Sequence, residues 1–89
     1  TKHHYLGINE RERTINYVKR IKEAGIECSI IKLADRLDKL RRLVKTNNEK
    51  TENYINDTAQ IYSILANNSN DMRVIMLWKM INDVINKIN

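Results

Sequence analysis

The residues best suited to chemistry gather in one stretch, Ile30–Leu43 (IIKLADRLDKLRRL), where Asp35 and Asp38 sit among Lys32, Arg36, Lys39, Arg41 and Arg42. Asp35–Lys39 and Asp38–Arg42 are spaced i,i+4, which on a helix makes exposed ion pairs. Taken by spacing alone, the stretch is an amphipathic helix. At 100° per residue, Ile30, Leu33, Ala34, Leu37, Leu40 and Val44 share an apolar arc of about 120°, while Asp35 projects opposite with Lys32 and Lys39. Arg41 breaks the pattern. It falls inside the apolar arc, where it either snorkels out near the helix end or lines a cleft that faces an anion.

Other reactive residue types are sparse. His3 and His4 adjoin each other near the N-terminus. They lack the i,i+4 spacing by which two histidines on one helix share a metal, and they read as surface residues. Cys28 is the single cysteine, which excludes an internal disulfide and a cysteine-rich zinc site. With no positioned base nearby, it reads as a small buried residue and not as a nucleophile. The tyrosines and Trp78 fall on apolar faces and read as core.

The elements that must hold these residues are helices. The chain has 89 residues, two glycines and no proline, so little interrupts a helical pattern. A first helix is expected over about Glu10–Ala24, capped by Asn9 with Glu12 reaching back, and with Ile15, Val18 and Ile21 as a narrow apolar stripe. Gly25 is its left-handed stop, and Ile26 folds back on the last turn. A second helix runs from about Glu27 to Val44. A third covers Glu49–Ala66 behind a Thr46-x-x-Glu49 capping box, with Tyr54, Ile55, Ala59, Tyr62 and Leu65 on its apolar side. After the Asn67-Asn68-Ser69-Asn70 loop, Ser69 or Asn70 caps a fourth helix, Asp71–Ile88. On that helix Val74, Leu77, Trp78, Ile81, Val84, Ile85 and Ile88 form a continuous face. Ile75, Met76 and Met80 fall outside it, which implies burial on more than one side. The fold class is all-α, a small bundle of about four helices in a single domain.

Composition bounds the partners. Hydrophobic residues are 42% and charged residues 30%, as in a globular chain and unlike a disordered one. No apolar run approaches the roughly 20 residues that cross a bilayer. The N-terminus lacks the apolar core of a signal peptide, and a cytoplasmic setting with no membrane partner is expected. The net charge is +5, and residues 1–48 carry twelve Lys and Arg against six acids, a net of +6. The basic half invites an anionic partner, or else forms an ordinary solvated face. One reading is a basic helical module that uses Lys19, Arg20, Lys22, Lys39, Arg41 and Arg42 against nucleic acid or an acidic protein.

Residue identity adds what periodicity does not. Ile31–Leu37, IKLADRL, resembles the KLADRL signature of HD-domain metal-dependent phosphohydrolases, especially the RelA/SpoT type of bifunctional (p)ppGpp hydrolase-synthetases. Thr1-Lys2 looks like the pair that follows the histidine-aspartate half of that domain. Thr58–Ala66 is similar to the family's ETLEIYAPLA segment. The resemblance covers most of Thr1 to Ala66. It implies part of an HD-domain fold and a divalent metal (Mn, Fe or Mg) held by a histidine, a histidine-aspartate pair and a distant aspartate. Asp35 matches the last of these. Lys32, Arg36, Lys39 and Arg41 are then candidates for contacts to the phosphates of a nucleotide. In the family the signature continues with His-Asn-x-Arg, where this chain has Asp38, Lys39, Leu40 and Arg41. The sequence contains no His-Asp dipeptide. The expectation is therefore an incomplete site, inactive alone, that needs the missing N-terminal half of the domain or a second copy as partner.

Overall fold

A computed structural model describes residues 10–46 and 49–88, leaving aside the side chains of residues 49, 50 and 88. Four α-helices follow in order: α1 (Glu10–Ala24), α2 (Ile26–Leu43), α3 (Glu49–Gln60) and α4 (Met72–Ile88). A short 310 turn, Tyr62–Leu65, lies between α3 and α4. No strand occurs among the described residues. The expected all-α bundle of four helices is what forms.

The core explains why α2 is central. Leu33, Leu37 and Leu40 of α2 are buried with Val18 of α1, Ile55 of α3, Ile61, Tyr62 and Leu65 around the 310 turn, and Val74, Ile81 and Ile85 of α4. Every other element packs on α2, and α4 runs beside it. These apolar residues recur at helical spacing on each element, so burying them is the main drive for assembly.

Local devices set the joints. Gly25 has φ +126° and ψ 169° and precedes α2 without a side-chain cap. That conformation lies beyond the left-handed helical stop expected of it, and a side chain would be strained there. Ile26 opens α2 and is exposed instead of folding back on α1. Asp71 caps α4: its Oδ1 accepts from the Arg73 backbone N–H at 2.8 Å, and Ser69 Oγ accepts from the Asp71 N–H. The cap is thus one residue later than Asn70, because Asp71 reaches an uncapped amide of the first turn. Asn9 lies outside the described residues, as do the Glu49 side chain, His3 and His4. Thr46 Oγ donates to the Leu43 carbonyl at 2.8 Å, closing α2.

The third helix ends earlier than its pattern predicts. It stops at Gln60, and the chain tightens into the 310 turn before Ala66. Thr58 Oγ1 donates back to the Tyr54 carbonyl at 2.8 Å, a bond of the kind that bends helices. The tighter turn buries Ile61, Tyr62 and Leu65 together. Ala59 is left exposed. Lys22 of α1 then satisfies the freed carbonyls, donating to Ile64 O at 2.7 Å and Asn67 O at 2.6 Å.

Several residues expected in the core are outside it. Ala34, Cys28, Tyr17, Ile75 and Met76 are exposed, whereas Met80 is half-buried against the core. The additional buried side expected of α4 does not form, because no described element covers Ile75 and Met76. Cys28 and Ala34 sit on flanks of α2 that its neighbours do not reach.

Candidate functional site

The candidate residues stand on α2, and the helix divides them. Lys32, Asp35, Arg36 and Lys39 lie toward one flank, whose neighbours are α1, α3 and the 310 turn. Arg41 lies on the other flank, with Nη2 at 4.0 Å from Met80 Sδ of α4. It is exposed, as a cation snorkelling along an apolar face should be. The structure therefore brings four of the five candidates to one side and keeps Arg41 apart.

Arg36 is the best-held of them. Its guanidinium lies against two tyrosine rings, 3.6 Å from the Tyr54 centroid and 4.0 Å from that of Tyr62. Nε donates to Thr58 Oγ1 at 2.8 Å. Thr58 is buried and donates in turn to Tyr54 O, so its hydroxyl serves as donor and acceptor at once. A guanidinium fits this place better than an ammonium, because its weakly hydrated plane can lie against aromatic rings while its N–H groups donate at the edge. The joint ties α2 to α3 and to the 310 turn.

Lys32, one turn earlier, is half-buried with Nζ 5.2 Å from the Tyr17 centroid. Its hydrogen bond to Tyr17 holds the ammonium above its ordinary pKa, against the opposing effect of burial, and Asp35 and Tyr62 add to the rise. Lys32 was expected opposite the core beside Asp35; it leans instead against the exposed face of Tyr17. Burial lifts the Tyr54 phenol above its ordinary value, with Arg36 pulling the other way. The Tyr54 hydroxyl is buried and has no hydrogen-bond partner among the described residues.

Asp35 is exposed, with no ion pair among the described residues. Its charge reaches Lys32 and Tyr54 through space. The i,i+4 pair expected with Lys39 does not form, whereas Asp38–Arg42 does, at 2.8 Å. Lys39 is exposed and, with Arg42 and Leu43, lines a shallow depression of about 260 Å3.

A metal needs more than this. Among the described residues no group of three or more His, Cys, Asp or Glu is placed to hold one. Asp35 is at most one ligand of a site whose other ligands lie outside those residues, so no metal-dependent step follows from this arrangement. Without a metal the cluster can fix an anion: Lys32 offers N–H donors beside aromatic surface, while Arg36 spends Nε on Thr58 and Nη2 on the Tyr54 carbonyl at 3.5 Å.

Sequence reasoning missed the clamp. The family resemblance offers Arg36 for phosphate contact, but its two rings come from positions 18 and 26 residues away (Tyr54 and Tyr62). Of the residues named for a basic module, Lys19, Arg20 and Lys39 are exposed. Lys22 is committed to two carbonyls, Arg42 to Asp38, and Arg41 lies along α4. No helix of the described residues is long and apolar enough to cross a membrane. Family models, curated proteins and solved structures were all compared with the chain, and none matches it.

Proposed function

We propose that this chain is part of an HD-type metal-dependent phosphohydrolase acting on a phosphorylated nucleotide such as (p)ppGpp. In this reading Asp35 supplies one metal ligand, and Lys32 and Lys39 hold phosphates. The remaining histidine and histidine-aspartate ligands come from elsewhere, since the sequence has no His-Asp pair. When bound, the metal would polarise a phosphoryl oxygen and activate a water.

One observation carries the reading: an exposed carboxylate without an ion-pair partner among the described residues, adjacent in sequence to an arginine held against two tyrosine rings. The Arg36 contacts tie the helix that carries Asp35 to α3 and the 310 turn, which supports a ligand role for it.

Calorimetric titration of the 89-residue chain with ppGpp, alone and with Mn2+, tests this. Binding is expected, weakened about tenfold by Lys32→Ala, which corresponds to ~1.4 kcal/mol. No hydrolysis is expected from the chain alone. Turnover by the isolated chain would contradict the incomplete site, and absence of any nucleotide binding would remove the reading.

A further inference from the structure

The seam between α2 and α4 carries a strip that neither the fold nor the proposed site uses. Two contacts mark its ends on one surface. Glu27 Oε2 lies 3.2 Å from Arg73 Nη2, and Arg41 Nη2 lies 4.0 Å from Met80 Sδ. On α2, Glu27, Ile31, Ala34, Asp38 and Arg41 follow at i, i+4, i+7, i+11 and i+14, which is one stripe of a helix. On α4, Arg73, Met76, Leu77 and Met80 follow in the same way. Between the marked ends lie Ile31, 69% exposed, Met76, 56% exposed, and the exposed Ala34. A charged rim around uncovered apolar residues is the pattern of an interaction surface.

The charges on the stripe say what covers it. Asp38 is satisfied by Arg42 at 2.8 Å. Arg41 has a thioether and no carboxylate in contact among the described residues. Glu27 shares Arg73 with Asp71, which holds that guanidinium more closely, at 2.9 Å. Glu27 and Arg41 are thus the two under-used charges, of opposite sign, at opposite ends. Ala34 stands seven residues from each of them. A two-fold axis at Ala34 crosses α2 with its own copy in antiparallel fashion and sets Glu27 of each chain opposite Arg41 of the other. The small side chain at the crossing lets the backbones approach; the two-fold keeps α4 of both copies on the same side, so Met76 faces α4 of the other copy while Ile31 lies on the opposite side of the crossing.

We infer that a second copy of this chain occupies the strip, in an isologous dimer centred on Ala34 with two Glu27–Arg41 ion pairs. Asp35 lies on a different stripe of α2, so this inference stands apart from the proposed function.

Sedimentation equilibrium of the whole chain from micromolar to millimolar concentration tests it. Reversible dimerisation is expected. Ala34→Arg, on an exposed helix position, should leave the far-UV circular dichroism unchanged and shift the chain to monomer. Glu27→Arg and Arg41→Glu should each raise the dissociation constant by about tenfold or more. Combining the two should restore dimerisation, which no other occupant of the strip would produce. A chain that stays monomeric at millimolar concentration overturns the inference. So does a dimer indifferent to Ala34→Arg, or one that the double charge swap fails to restore.

Discussion

The two flanks of α2 are held by different physics. Toward α4 the joint is aliphatic: Leu33, Leu37 and Leu40 share a core with Val74, Ile81 and Ile85. Toward α3 and the 310 turn it is a guanidinium against two tyrosine rings, its Nε donating to a threonine hydroxyl and its Nη2 to a carbonyl. Aliphatic packing is non-directional and tolerates conservative exchange so long as volume is kept. The polar joint depends on planarity and donor direction, so conservative exchange fails there. Rigidity of that directional kind lies beside Asp35, where a ligand would need it.

Substitutions on the two flanks sharpen this contrast. Leu33 is fully buried, and Leu33→Ala should cost about 2–5 kcal/mol through lost transfer energy and a cavity. Leu33→Met should cost less than about 1.5 kcal/mol. On the other flank Arg36→Ala should cost about 2 kcal/mol, and Arg36→Lys should recover little of it, since an ammonium has no plane to lie against the rings while donating at its edge. Urea denaturation of the four variants checks the pattern. Full rescue by lysine would reduce the clamp to a simple charge effect.

Smaller effects probe the clamp from within. The Tyr54 hydroxyl is buried without a partner, so Tyr54→Phe should be neutral or stabilising by up to about 1 kcal/mol. A clear loss would mean that the hydroxyl has a partner. Both Tyr54 and Lys32 have folded-state pKa values raised above their ordinary ones. The folded chain therefore holds these protons more tightly than the unfolded chain does. The associated stability is complete below the ordinary values and is lost as pH rises through the raised ones, beginning near about pH 10. Thermal melts from neutral to strongly alkaline pH should show this fall, and Tyr54→Phe should shrink it.

Much of the aliphatic flank was legible in the sequence. The repeats of Ile15, Val18 and Ile21, of Leu33, Leu37 and Leu40, and of Val74, Ile81 and Ile85 place α1, α2 and α4 to within a residue or two of their ends. Periodicity reports burial, and burial dominates these elements. The end of α3 was not legible, because Ile61, Tyr62 and Leu65 suit a continued α-helix as well as a 310 turn. Only tertiary burial decides between them. Ala34 was expected in the core from its type and angle, but it faces the open strip beside α4. The candidate site was legible as residues, from Lys32 to Lys39, and not as geometry. Nothing in local spacing tells Arg36 that Tyr54 and Tyr62 will close on it.

The most direct test of Asp35 as a metal-facing carboxylate is paramagnetic broadening of amide signals when Mn2+ is added to the chain saturated with ppGpp. Selective broadening of the α2 amides around Asp35 is expected, abolished by Asp35→Asn and leaving the exposed Asp83 little affected. Broadening at Asp35 no greater than at Asp83, or unchanged by Asp35→Asn, would contradict the assignment.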